Sequence, residues 1–259
     1  MNDDFVERFR ELIEIVKTLR GPNGCEWDKA QTHSSLTPYL LEEAHEVIDS
    51  IYERNPSKIK EELGDLLLHI VFQAQIATEA GDFTIADSLK HINSKLTRRH
   101  PHVFGGTKVN SVGDIKKNWE VIKMKEGRKS LMDGLPKSLP ALLQARRVQE
   151  RAAQVGFDWD AIEPVWAKIT EETAELQDAI ATRNKDEIVA EFGDLIFTMV
   201  NLSRFLEIDP EEALRQTVNK FIRRFQAIET ELAAIGKNIK DTSLAELDEI
   251  WDRLKAAES

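Results

Sequence analysis

Apolar residues recur along most of this chain at intervals of three and four, as in Phe5, Phe9, Leu12, Val16 and Leu19, a spacing that predicts amphipathic helices. Alternation of apolar and polar residues, the mark of a half-buried strand, is scarce. The Gly/Pro/Asn-rich stretch Gly21 to Gly24 and the segment Pro101 to Gly113 read as loops, and Thr37, ahead of Pro38, is a capping candidate for the next helix. The fold class that follows is all-α.

Two adjacent helical stripes carry acids at their edges. Around Glu172 the apolar positions are Val165, Ile169, Leu176 and Ile180; at about 100° per residue Glu172 lies roughly 60° from the stripe's centre and Glu175 about 120°. The next stripe is Ile188, Phe192, Leu195, Met199 and Leu202, with Glu191 and Asp194 displaced in the same way. The first half copies this: Leu36, Leu40, Val47 and Ile51 run beside Glu43 and Glu46, then Ile59, Leu63, Leu66 and Ile70 beside Glu62 and Asp65. Gly64 and Gly193 sit between the acids of each second pair. A glycine inside a helix costs about 1 kcal/mol relative to alanine, which suggests close approach of a neighbouring backbone or a ligand.

The copying is general. Glu42-Glu43-x-x-Glu46 with Glu62-x-x-Asp65 returns as Glu171-Glu172-x-x-Glu175 with Glu191-x-x-Asp194, each acid displaced by 129 positions. Trp27-Asp28 recurs as Trp159-Asp160, Arg98-Arg99 as Arg223-Arg224, and Trp119 with Lys123 as Trp251 with Lys255. Five matches in the same order, with small indels between them, make two homologous halves. Gly134, Pro136 and Pro140 interrupt the helical period between them, so the expected division is an N-terminal module at 1–126, a linker at 127–140 and a C-terminal module at 141–259.

Composition narrows the chemistry. With 259 residues, 41% of them apolar and 31% charged, the chain can bury a core and is not a disordered polymer. It has no apolar run of membrane-spanning length, and its start has neither the basic residues nor the apolar stretch of a secretory signal, so a cytoplasmic protein is expected. The single cysteine, Cys25, agrees with a reducing compartment. A net charge of −11 without a basic stripe argues against nucleic-acid binding. An anionic ligand would need local cations.

Four carboxylates converging from two helices repel one another, and a hard divalent cation relieves that repulsion. Oxygen-only donors suit Mg²⁺ or Mn²⁺ and leave coordination positions for water and phosphates. The plainer interpretation of a single E-x-x-E is a solvated helix face; here the arrangement occurs twice with identical spacing. The histidines offer no H-E-x-x-H, and no glycine-rich phosphate loop is present. A di-iron carboxylate bundle would need Glu-x-x-His twice; Glu42-x-x-His45 supplies one, but Glu171-x-x-Ala174 does not supply the other.

The order E-E-x-x-E, then E-x-G-D, then K-x-x-R-R, together with Gly24-Cys25-Glu26-Trp27-Asp28, Arg98-Arg99-His100-Pro101-His102-Val103-Phe104 and Val155-Gly156-Phe157-Asp158-Trp159, resembles the MazG family of nucleotide pyrophosphohydrolases across nearly the whole chain. The resemblance implies an all-α homodimer that needs Mg²⁺ and cleaves nucleoside triphosphates, ribo and deoxy with a broad base range, to monophosphate and pyrophosphate. It makes Glu172, Glu175, Glu191 and Asp194 metal ligands, with Glu43, Glu46, Glu62 and Asp65 as the equivalent set. It gives the triphosphate to Lys168, Lys220 and Arg224, beside Arg223 and Glu171, and stacks Trp251 against base or ribose. Glu171 or Glu172 would take the proton of the attacking water, unless a metal-activated water needs no free base. Tyr39 stands where the second half has Lys168, so the C-terminal module is the expected catalytic one. The competing function is a non-catalytic helical dimerisation or regulatory module whose acids are surface charge.

Overall fold

A computed structural model describes residues 3–109, 111, 113, 115, 118, 119, 122, 126, 127 and 129–258. Regular structure among these residues is helical throughout, with no strand, as the apolar period predicts. The chain divides into two compact units, Met1–Val112 and Gly113–Ser259.

In the first unit α1 (Asp3–Arg20) packs on α2 (Glu26–Ala30) and on α4 (Pro56–Ala80), while α3 (Thr37–Tyr52) and α4 form a helical hairpin. Then follow α5 (Ile85–Arg99) and a single turn, α6 (Pro101–Phe104). That turn replaces part of the loop expected from Pro101 onward, because Pro101 at the first helical position lacks only an N–H that would be unpaired anyway. Thr37 likewise lies inside α3 rather than capping it: Leu36 holds the cap position, and the Thr37 hydroxyl donates back to the His33 carbonyl. Val16, Leu36, Val71 and Phe72 make the buried core, flanked by Phe9, Leu12, Ile13, Leu68 and Ile76.

The second unit runs α7 (Ala141–Ala153), α8 (Glu163–Thr182), α9 (Lys185–Phe205), α10 (Pro210–Ala234), a 3₁₀ turn (Ile239–Asp241) and α11 (Leu244–Ala257). The α8–α9 hairpin repeats the α3–α4 hairpin down to its turn. Arg54 and Arg183 are left-handed, with φ of 54° and 58°, and each is followed by an asparagine, Asn55 or Asn184, whose side chain caps the next helix. Helix α9 packs on α7, and α10 on α7 and α11. Arg146 ties α7 to the start of α10 through the Ile208 carbonyl and Asp209, which also caps α10. The segment read as a linker is held to this unit: Arg151 donates to the carbonyls of Leu131 at 2.8 Å and Asp133 at 3.0 Å. The compact boundary accordingly falls ahead of 127–140. Lys123, the repeat partner of Lys255, lies outside the described residues.

The stripes are only partly interior. Val165 and Leu202 are buried, but Ile51, Leu63, Ile70, Ile180, Phe192 and Met199 are about half exposed, as is a row on α10 formed by Leu214, Val218, Phe221, Ile222 and Phe225. Burial in the first unit is anchored instead by Arg20. Its nearly inaccessible guanidinium bonds Glu79 at 2.7 Å, donates to the carbonyls of Asp28 and Gln31, and lies 5.3 Å from the centre of the Phe72 ring. Arg20→Ala should destabilise this unit by roughly 2–3 kcal/mol by leaving those acceptors unpaired, measurable as faster hydrogen exchange in α1 and α4. The Arg20 bonds hold the Glu79 carboxyl below its ordinary 4.5, so wild type keeps this advantage above pH 4.5 and loses it as pH falls through the lowered value.

Candidate active site

The two-residue turn at Arg183–Asn184 folds α9 back along α8 and sets Glu191 opposite the i, i+3 pair Glu172 and Glu175. One carboxylate oxygen from each of the three lies within 4.8 Å of the others. Glu172 is buried at 4% exposure, the only acid of the set drawn into the helix interface. The first unit repeats the geometry with Glu43, Glu46 and Glu62, again within 4.8 Å. Asp194 and Asp65 follow one turn on but fall outside these tight groups, although Asp65 is near enough to bear on Glu43.

Crowding shows in the protonation balance. Desolvation first, then the charge of Glu172, pushes the Glu175 carboxyl above its usual value. Desolvation and the charge of Glu46 do the same to Glu43 and Glu62. In the second unit Lys168 answers that charge, bonding Glu171 at 2.8 Å and Glu172 at 2.7 Å, contacts that hold its ammonium well above the usual lysine range. Glu171 itself points to solvent, within reach of Lys168.

In the first unit the place of Lys168 is taken by Tyr39, which stacks on His69 at 6.4 Å and meets Trp27 edge-on at 6.1 Å. Burial lowers the His69 pKa, and its Nε2 stands 3.9 Å from Glu43. The sequence pattern did not single out His69, whose counterpart in the repeat is Thr198. It offered no spacing signal because its role comes from packing across the hairpin.

The remaining cations form a separate cluster. Arg223 and Arg224 both grip Glu258, at 2.9 and 2.6 Å, and Arg224 lies 5.4 Å from the centre of the Trp251 ring, which also packs on Phe221 at 5.2 Å. Lys220 is exposed on the same helix. The principal partners of α10 are α7 and α11, and the principal partner of the α8–α9 hairpin outside itself is α7. Glu258 was not foreseen, since thirty-four positions separate it from Arg224. No protein neighbour explains Gly64 or Gly193: a Cβ added at either meets nothing within 4 Å, so the close backbone approach expected from the sequence is absent among the described residues.

The model of the MazG nucleotide pyrophosphohydrolase domain matches this chain twice, at residues 31–104 and 161–228. The chain belongs to the MazG family. Each match contains one complete acidic hairpin. Over 96% of its length the chain is 49% identical to the nucleoside triphosphate pyrophosphohydrolase/pyrophosphatase MazG of Thermotoga maritima, covering 96% of that protein. It is 41% identical to the nucleoside triphosphate pyrophosphohydrolase of Escherichia coli K12, with 95% and 97% of the two chains covered. It is also 44% identical to an uncharacterized Bacillus subtilis protein, YabN, of which it covers 52%. This MazG member is an enzyme, a nucleotide pyrophosphohydrolase, and the helical tandem is that of a twice-occurring MazG domain. No helix among the described residues is long and apolar enough to cross a membrane.

Both acidic groups have the oxygen-only donor set of a hard divalent cation. Titration with Mn²⁺, followed by electron paramagnetic resonance, should give two bound ions per chain, and either Glu46→Gln or Glu175→Gln should remove one. Affinity should fall on acidification, beginning above pH 4.5, because the raised Glu43, Glu62 and Glu175 must lose protons to bind metal.

Proposed function

We propose that the second unit hydrolyses nucleoside triphosphates, ribo and deoxy with a broad base range, to monophosphate and pyrophosphate in a Mg²⁺-dependent reaction at the α-phosphorus. The observation that carries this reading is the grouping of Glu172, Glu175 and Glu191 beside Lys168, which the first unit replaces with Tyr39. Asp194, one turn along α9, completes the donor set. A bound divalent ion would neutralise phosphate charge and make water a stronger nucleophile.

The chain's own residues supply the rest. Glu172, fixed in the helix interface, orients the donor group, and Lys168 offers an ammonium that can leave Glu171 for a phosphate oxygen. Glu171, then freed and solvent-facing, is the acceptor for the water's proton. Lys220, Arg223 and Arg224 stabilise the leaving pyrophosphate, with Trp251 at the nucleoside end. For the arginines to do so, phosphate must displace the Glu258 carboxylate, a similarly charged oxygen ligand.

A homodimer in the cytoplasm fits the same reading. The exposed α10 row of Leu214, Val218, Phe221, Ile222 and Phe225 is flanked by Lys220, Arg223 and Arg224, while the α8–α9 hairpin exposes Phe192 and Met199 beside its acids. The two surfaces are apolar at the centre and opposite in charge at the rim, the complementarity a second copy requires.

The reaction should yield monophosphate and pyrophosphate and stop with chelator; diphosphate with orthophosphate would place attack at the γ-phosphorus and defeat the mechanism. Glu175→Gln should lower turnover by about 100-fold or more, since losing a direct ligand should at least match the loss of its supports, whereas Glu46→Gln should leave most ATP hydrolysis. Glu258→Gln should lower KM for triphosphates with kcat little changed, by removing a competitor for Arg223 and Arg224. Sedimentation at micromolar concentration should show a dimer without nucleotide; a monomer would count against the shared surface.

A further inference from the structure

The shift of 129 that carries Asp65 onto Asp194 carries His69 onto Thr198 within one ungapped helix, so only the first unit has an imidazole at this position of the hairpin. On α4, His69 follows Glu62 by seven positions and Asp65 by four, which puts all three within about 60° of one another around the helix axis. Across the hairpin its Nε2 stands 3.9 Å from a Glu43 carboxylate oxygen, with the imidazole 13% and the carboxylate 21% exposed. Glu43 also belongs to the group with Glu46 and Glu62 whose oxygens lie within 4.8 Å of one another. Asp65 is close enough for its charge to bear on both Glu43 and His69. Glu43 is therefore the acid through which His69 joins the group.

Two donors bound to one divalent ion at roughly 2.1 Å each stand no more than about 4.2 Å apart, so the separation of His69 from Glu43 is one that ligands of a single ion can have. The ring is held for that use. Tyr39 stacks on it within 10° of parallel, at 6.4 Å between centres, and so fixes its plane. Nδ1 is buried with no hydrogen-bond partner among the described residues, which leaves Nε2 as the nitrogen presented to the acids. Because Nδ1 is unpartnered whichever nitrogen carries the proton, no hydrogen bond opposes the tautomer whose Nε2 lone pair is free.

We propose that His69 Nε2 is a ligand of the divalent ion bound at Glu43, which makes the first unit a mixed nitrogen–oxygen site beside the all-oxygen site of the second. The proposal rests on reading Glu43, Glu46 and Glu62 as metal ligands and on no step of hydrolysis. Carboxylates alone suit Mg²⁺ and Mn²⁺, whereas an imidazole adds affinity for later transition ions such as Co²⁺ and Zn²⁺. The first unit accordingly favours Co²⁺ over Mg²⁺ by a wider margin than the second does. One chain thus carries two hairpins of the same geometry with different metal preferences.

The test loads the full-length protein with Mn²⁺ and reads nuclear modulation of its electron spin echo. In Glu175→Gln, whose remaining ion is in the first unit, the echo should carry the nitrogen modulation of a coordinated imidazole, altered when histidine is labelled with the heavier nitrogen isotope. In Glu46→Gln, whose ion is in the second unit, that modulation should be missing. His69→Gln added to Glu175→Gln should abolish it, whereas His45→Gln should not, because His45 is two positions from Glu43 and projects from another side of α3. Calorimetric titration of the same proteins should show His69→Gln weakening Co²⁺ at the first unit by about tenfold or more, with Mg²⁺ affinity little changed. If His69→Gln loses helicity, the echo of Glu175→Gln with and without His45→Gln still decides. A bound ion without nitrogen modulation, the result for a histidine that merely pairs with Glu43, overturns the proposal and leaves an all-oxygen site. Modulation that survives His69→Gln, or disappears in His45→Gln, overturns it as well. Failure of Glu175→Gln to bind any ion overturns both the proposal and the reading of the first unit's acids as ligands. Nitrogen-modulated Mn²⁺ in a protein that releases no pyrophosphate would defeat the hydrolase reading alone.

Discussion

Mutual repulsion of carboxylates is the constraint around which each unit is organised. A helical hairpin is stable when its facing stripes are apolar, yet both hairpins here concentrate acids at the seam, where desolvation first and then neighbouring carboxylates raise the pKa values of Glu43, Glu62 and Glu175. Away from that charge, each hairpin turns at an asparagine cap, and its second helix is tied to the rest of its unit by an arginine–carboxylate pair, Arg20–Glu79 or Arg204–Asp158. Crowding of this kind gives a small, highly charged cation a reason to bind.

Duplication shows how one scaffold takes two characters. Where the second unit has Lys168 against Glu172, the first has Tyr39 against His69, substituting aromatic packing for an ion pair. Where the first has Phe72 in its core, the second has Asn201 at a cavity. Both differences leave one unit with more packed apolar surface and the other with more polar groups available to a ligand. The left-handed turn residues Arg54 and Arg183 are common to both.

Helix identity, the repeat and the convergence of Glu172, Glu175 and Glu191 were legible because each is a matter of period along one or two adjacent helices. The Glu258 clasp on Arg223 and Arg224 was not, nor was the Tyr39–His69 stack, because each joins residues from elements that no local pattern relates. The glycines were legible only in part: of the two alternatives at Gly64 and Gly193, a neighbouring backbone or a ligand, the open space beside them removes the first. Sequence also placed the linker where prolines interrupt the helical period, whereas Arg151 holds that segment to the second unit. Proline stops a helix; it does not stop a chain from packing.

The half-exposed stripes connect these observations. A sequence stripe records every surface that is covered in the working assembly, whereas burial in one chain records only the surfaces that chain covers itself. Val165 and Leu202 are covered by the chain itself, whereas Phe192, Met199 and the α10 row would be covered only in the proposed dimer. The cations assigned to phosphate flank that uncovered row, and the acids assigned to metal flank the uncovered face of the hairpin. In the proposed dimer, apolar attraction between the two faces would also carry opposite charges toward one another, so burying the exposed stripes and assembling the proposed phosphate site would be the same event.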